Sequence, residues 1–255
     1  MRVACMFGLV MALALAGCDG AAPEPTIDVT AEATVMIDGW ARSGMYLPDS
    51  AQVGFFRDNI EALTPLLSAA LAHDTQPVRM RAAFVIELCT PPNPALAGLL
   101  ASRLPSEEDR TVRLYICHAL CVHGRTSPQA AVALRTRWQA LDKNATARPS
   151  SYGYSEAAEA VAVAGALSTC AENTAARKEY ASHVLGWLKP PPPDLPKERL
   201  ADHWDVRWGA LATLRSMPPT DGAVPLLNAM LEERDRKSWV ETQVRATLQV
   251  QEAAR

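Results

Sequence analysis

The sequence predicts an all-α protein, an α-solenoid of about five antiparallel helical hairpins (residues 58–255) in a single domain. Three observations carry that prediction. Alanine recurs along the 255 residues while aromatics make up only 6%, a balance that favours closely packed helices over sheet. Stretches with the alternation of a strand are nearly absent. A Val-Arg dipeptide at the start of an alanine-rich apolar stretch also keeps returning, as DTQPVRMRAAFVIEL, DRTVRLYICHAL, DVRWGALATL and ETQVRATLQV. The register valines are Val78, Val112, Val206 and Val244, with Val161 in a degenerate middle copy, so the interval runs from 34 to 49 residues. A unit of that length holds two helices, and stacked units bury one continuous core.

In chain order, the first segment reads as an export signal. Arg2 supplies a short positive start, and the apolar run 3–16 is shorter than the ~20 residues a bilayer span needs. Leu15-Ala16-Gly17-Cys18 follows and resembles a bacterial lipobox, which makes residues 1–17 the signal peptide and Cys18 the lipidation site. Ala14-Leu15-Ala16 also fits ordinary signal-peptidase cleavage. Two or three acyl chains hold a protein stably on a membrane, where one alone binds marginally. Asp19 after the cysteine resembles the inner-membrane retention signal of Gram-negative envelopes, so the expected location is the exported side of the cell membrane. Residues 18–57 are expected to be a lipid-anchored tether and an irregular segment. It admits a short helix over 30–40 and has turns at Gly39, Gly44 and Leu47-Pro48-Asp49-Ser50.

From residue 58 the hairpins begin. Each Val-Arg helix is preceded by another helical stretch: IEALTPLLSAALA, ALAGLLASRL, TAARKEYASHVLGWL or AVPLLNAMLEE. QAAVALRTRWQAL and SEAAEAVAVAGAL form the degenerate middle pair. Asn93-Pro94 and Ser127-Pro128 put a capping side chain before a proline at the first helical position. Asp58 with Glu61, and Ser106 with Asp109, have the spacing of reciprocal caps. Pro91-Pro92 and Pro218-Pro219 end the helices before them.

These repeats resemble the HEAT family, including the bacterial HEAT-like repeats of phycobilisome lyases. The resemblance covers roughly residues 58–251 and rests on an acid followed by Val-Arg. It implies a hydrogen-bonded ladder between repeats, with Asp74 and Arg79, Asp109 and Arg113, Asp205 and Arg207, and Glu241 and Arg245 as its members. It implies a fold and not an activity, because this scaffold hosts many roles. Bilin lyase activity does not carry over, since an exported lipoprotein is separated from cytoplasmic substrates.

A formal charge of -3 lacks the basic footprint of a nucleic-acid binder. The chain has no G-x-S-x-G elbow, no H-E-x-x-H and no phosphate-cradling glycine loop, so no catalytic residue and no cofactor is expected. Glu156 and Glu159, one turn apart, read as a solvated face. Cys89, Cys117, Cys121 and Cys170 leave three readings open: buried thiols, disulfides, or a metal site centred on Cys117 and Cys121. His118 and His123 fall on other helix faces, so that metal site needs ligands from elsewhere.

Partner-binding candidates lie on loops and on one helix flank. Tyr152 and Tyr154 follow a polar run in a long loop, and the prolines 190–193 and 196 stiffen another. Two residues before the register valines stand Gln76, Arg110, Glu159 and Thr242, a polar column expected to face solvent and broken by Trp204. Two residues after them stand Met80, Leu114, Val163, Trp208 and Ala246, all apolar and expected to be buried. Trp204, one turn from Trp208, either anchors a partner or covers the prolines. The functional expectation is a membrane-anchored, non-enzymatic protein-interaction scaffold of the bacterial cell envelope. Its expected partners are unidentified envelope proteins, and the membrane through its lipid. The alternative is an envelope enzyme or metal-binding accessory protein using the Cys117/Cys121 region.

Overall fold

The computed structural model describes residues 28–42, 47–144, 154–233 and 238–253. Among these residues all regular structure is helical, and there is no strand. The helices are α1 (Val29–Arg42), α2 (Ser50–Asp58), α3 (Ile60–Leu71), α4 (Gln76–Leu88), α5 (Pro94–Arg103), α6 (Arg110–His123), α7 (Pro128–Ala140), α8 (Glu156–Cys170), α9 (Thr174–Leu188), α10 (Lys197–Ser216), α11 (Ala223–Glu232) and α12 (Ser238–Glu252). From α3 on they pack as five pairs: α3 with α4, α5 with α6, α7 with α8, α9 with α10, and α11 with α12. The second helices also follow one another in space, α4 on α6, α6 on α8, α8 on α10 and α10 on α12. All five register valines are completely buried in this row, at 0% exposure, which is what a repeated core position requires.

The caps explain where several helices begin. Asn93 accepts from the Ala95 N–H at 2.8 Å, and Ser127 from the Ala130 N–H at 3.2 Å, each ahead of a proline that cannot donate. The two expected reciprocal caps do not form. Asp58 pairs with its neighbour Arg57, and α3 starts after Asn59 with no side-chain cap. Ser106 bonds the Arg103 carbonyl, and α6 is capped by Asp109 itself, which accepts from the Val112 N–H at 2.9 Å.

The segment expected to be irregular is mostly helical where it is described: α1 contains the short helix admitted over 30–40, and α2 is a second helix that was not expected. Helix α1 packs on α3 and α4, and α2 packs on the same two helices. They place Ala33, Ile37, Trp40, Val53 and Phe56 in the core, with the Trp40 and Phe56 ring centroids 5.3 Å apart. The Trp40 carbonyl accepts from the buried Arg81 of α4, which ties α1 to the first pair. Gly39 lies inside α1 and makes no turn, while Asp49 caps α2 by accepting from the Gln52 N–H at 2.9 Å. Gly44, the signal peptide and Cys18 lie outside the described residues.

Helix α8 is the hub. Only Glu156 and Ser168 of its 15 residues escape burial, and most of the rest are alanine or glycine. Small side chains let α6 and α10 close in from either side until they touch each other as well. A Cβ on Gly165 would stand 2.2 Å from Thr213 Cγ2 of α10, far inside contact distance, so this close approach requires glycine. The row of second helices is thereby bent, and α10 reaches back as far as α4, where Ser216 Oγ donates to Glu87 Oε1 at 2.6 Å.

Candidate functional site

The arginines of the Val-Arg dipeptides form a ladder, in which Arg79 and Arg113 take different acids from those expected. Arg79 donates to both carboxylate oxygens of Glu107, at 2.9 and 3.0 Å, and to the carbonyls of His73 and Asp74. Arg113 does the same with Glu159, at 2.6 and 3.0 Å, and with the carbonyls of Glu107 and Glu108. Arg207 binds the Leu188 carbonyl at 2.9 Å and the Glu233 carboxylate. Each guanidinium thus reaches a carboxylate of the next pair, Arg79 and Arg113 also tying down the loop before their own helix and Arg207 the C-terminal end of α9. Asp74 contributes its carbonyl, Asp109 is a helix cap, and Glu233 is an acid on Arg207. In the last copy the expected pair of Glu241 and Arg245 does form, at 2.8 Å, within one helix and near the surface.

Glu159 is the centre of this ladder. Its side chain is 0% exposed and also receives Arg137, at 2.6 and 3.0 Å, with Arg110 Nε at 3.3 Å. Burial pushes its pKa up, yet the hydrogen bonds from Arg113 and Arg137 outweigh that and hold it below the ordinary carboxylate range. The solvated face expected for this pair therefore fails at Glu159, which lies in a buried ion cluster, while Glu156 is half-buried and accepts from the Asp142 N–H at 3.2 Å. The polar column before the register valines likewise does not face solvent at Glu159. Met80, Leu114 and Val163, two residues after those valines, are buried as expected, whereas Trp208 and Ala246 are half-buried.

The four described cysteines are buried and free, with no disulfide among them. Burial pushes the Cys89 thiol up to about 11 and raises Cys117, Cys121 and Cys170 as well, so none is an activated thiolate. No group of three His, Cys, Asp or Glu among the described residues is arranged to hold a metal. The neighbouring histidines are occupied in joining helices. His123 Nε2 faces the Ile86 carbonyl at 2.7 Å while its Nδ1 accepts from the Asn93 N–H at 3.0 Å.

A cavity of about 390 Å³ opens on the inner face of the bent row. Phe84 and Glu87 reach it from α4, Tyr115 and His118 from α6, Trp208, Leu211 and Arg215 from α10, and Gln243 and Thr247 from α12. Within each helix these residues are three or four apart, so each helix presents one stripe to the cavity. The Phe84 and Tyr115 rings meet edge to face, with centroids 5.9 Å apart. His118 Nε2 bonds Thr213 Oγ1 at 3.0 Å; burial, aided by the Arg215 charge, depresses its pKa to about 3 and keeps the ring neutral. Burial likewise raises the Glu87 pKa against the opposing effects of the Ser216 hydrogen bond and the Arg215 charge. Arg215 donates through Nη1 to the Gln243 side-chain oxygen at 3.1 Å.

Two of the partner-binding candidates, Trp208 and Tyr154, meet at this cavity although they are distant in sequence. Trp204 does not join them. Its ring lies under the Arg207 guanidinium, 4.7 Å from ring centre to carbon. The prolines it was expected to cover share a second hollow of about 610 Å³ with Trp187 and His203. Tyr152 lies outside the described residues. Sequence reasoning missed Glu87, His118 and Arg215 as cavity residues, because nothing in their local pattern marks them. No helix among the described residues is long and apolar enough to cross a membrane. No family model matches the chain, and neither a curated protein nor a solved structure matches it.

Proposed function

We propose that this protein is a non-enzymatic interaction scaffold of the bacterial cell envelope, built of HEAT-like repeats. Lipid on Cys18 holds it on the exported side of the cell membrane, and an envelope protein docks at the inner-face cavity. The observation that carries this reading is the cavity itself, where Trp208, Tyr154, Tyr115 and Phe84 gather around Arg215. Aromatic and arginine side chains in a recessed pocket supply most of the energy of protein interfaces. Groups capable of chemistry are engaged in holding helices together: Glu107, Glu159 and Glu233 with arginines, His123 with the Ile86 carbonyl, and, on the cavity wall itself, His118 with Thr213. The lipobox and its cysteine support the anchor.

The experiment is site-specific photocrosslinking in cells, with a benzophenone amino acid at position 208 and, as control, at Val132, which is 57% exposed on α7. A discrete envelope protein captured from position 208 and not from 132 is the expected result. It should accompany palmitate labelling that Cys18→Ser abolishes. Equal capture from both positions, or equal labelling of the Cys18→Ser variant, overturns the reading.

A further inference from the structure

Arg79, Arg113, Arg137 and Arg207 all hold carboxylates of their own chain, whereas the hydrogen-bond partner of Arg215 is a neutral amide, the Gln243 oxygen at 3.1 Å. Arg215 is half-buried on the cavity wall, beside aromatic rings that lower the local dielectric and strengthen any charge pairing there. The acid on the opposite helix, Glu87, does not supply the missing partner. It is only 6% exposed, its Oε1 takes the Ser216 hydroxyl at 2.6 Å, and burial favours its protonated form. His118 is neutral for the same reason. Arg215 therefore sets a guanidinium among the aromatic rings of the cavity wall, with the Gln243 amide as its hydrogen-bond partner.

We propose that the inner-face cavity binds a carboxylate carried on an aromatic or aliphatic body, with Arg215 holding the carboxylate and Phe84, Tyr115 and Trp208 enclosing the body. The guanidinium fork matches a carboxylate in shape, and Gln243 fixes its orientation from one side. The volume of about 390 Å³ lies within the ~300–1,000 Å³ of small-ligand sites. A cationic ligand would meet Arg215 first and be repelled. Two sources carry this chemistry, a free carboxylic acid and the C-terminus of a protein chain ending in a large apolar residue. The proposal rests on the cavity of the preceding reading, and it does not depend on the lipid anchor.

Calorimetric titration of the full chain, blanked against its own dialysate, tests it with 2-naphthoate and 2-naphthamide, which share a shape and differ in charge. Wild type should bind the acid at least tenfold more tightly than the amide. Arg215→Gln should remove that preference and Trp208→Ala should weaken both ligands, with melting temperatures confirming that the variants fold. Gln243→Glu keeps Arg215 and gives it an internal carboxylate, so it should weaken naphthoate alone. Equal binding of acid and amide by wild type, or an unchanged preference in Arg215→Gln or Gln243→Glu, overturns the proposal. A second pair, acetyl-Gly-Gly-Phe with a free or an amidated C-terminus, separates the sources. Preference for the free peptide points to a protein terminus. Naphthoate binding without peptide binding keeps the carboxylate site and removes the protein partner from it.

Discussion

Replacing Glu159 by glutamine deletes one negative charge from the middle of the helical row while keeping the side chain's length and planarity. The native carboxylate receives four hydrogen bonds of 2.6 to 3.0 Å from Arg113 and Arg137, and Arg110 stands beside it at 3.3 Å. In the variant these three guanidiniums face an uncharged amide whose own N–H₂ points donors at donors. Breaking a buried ion pair by removing one partner costs about 3–5 kcal/mol, because the remaining charge stays desolvated. For a domain of 150–250 residues each kcal/mol lowers the melting temperature by roughly 2–4 °C, so the expected loss is on the order of 6–20 °C. Glu172→Gln is the matched control. It deletes the acid of the Arg135–Glu172 pair, whose side chains stand 3.7 Å apart and are 44% and 82% exposed, where solvent leaves at most about 1 kcal/mol. Calorimetric melting of the two variants beside wild type reads the difference directly. An E159Q variant melting within about 2 °C of wild type, or an E172Q variant losing as much as E159Q, would refute the reasoning.

His118 and Glu87 should tilt the pH dependence of stability in a defined way. The folded pKa of His118, about 3, lies below its unfolded value of ~6.5, so its contribution is full above ~6.5 and is lost as pH falls toward 3. His118→Asn, which still offers Thr213 a hydrogen bond, should flatten urea-unfolding stability across that window, and an unaltered slope counts against it. Glu87 has the opposite sign: its raised folded pKa makes its contribution greatest below ~4.3, and that contribution is lost as pH rises through the folded pKa. Glu87→Gln should therefore match wild type near pH 4 and exceed it at pH 8, and a variant less stable at pH 8 shows the charge to be favourable there.

The hairpins are legible because their signals are local. A cap such as Asn93-Pro94 and a register valine such as Val112 need only a few neighbouring residues to be recognised, and both hold in the structure. Helix α1 matches the short helix admitted over 30–40, but Gly39, which reads as a turn, sits inside it on an open helix surface where no side chain is missed. Its stripe of Ala33, Ile37 and Trp40 was present all along. The ladder was half legible. Its arginines follow from the dipeptide, but Glu107 and Glu159 lie 28 and 46 residues beyond their partners, and only the stacking of neighbouring pairs brings them within reach. The cavity was not legible at all. Ser216 and Glu87, which meet above it, are 129 residues apart and are joined by the curvature of the whole row.

That curvature is governed from outside the cavity. No residue of α8 lines it, yet α8 is the spacer that decides how far apart α6 and α10 stand. A single methyl group on Gly165 has to displace Thr213, and Thr213 holds His118 on the cavity wall. The dimensions of the recess are thus encoded in side chains that do not line it. Trading alanine, glycine and valine along α8 would widen or narrow the pocket while leaving Arg215, Trp208 and the rest of the lining unchanged. The size of the recess and its charge are thereby set by separate residues, the first by a hidden wedge and the second by the lining.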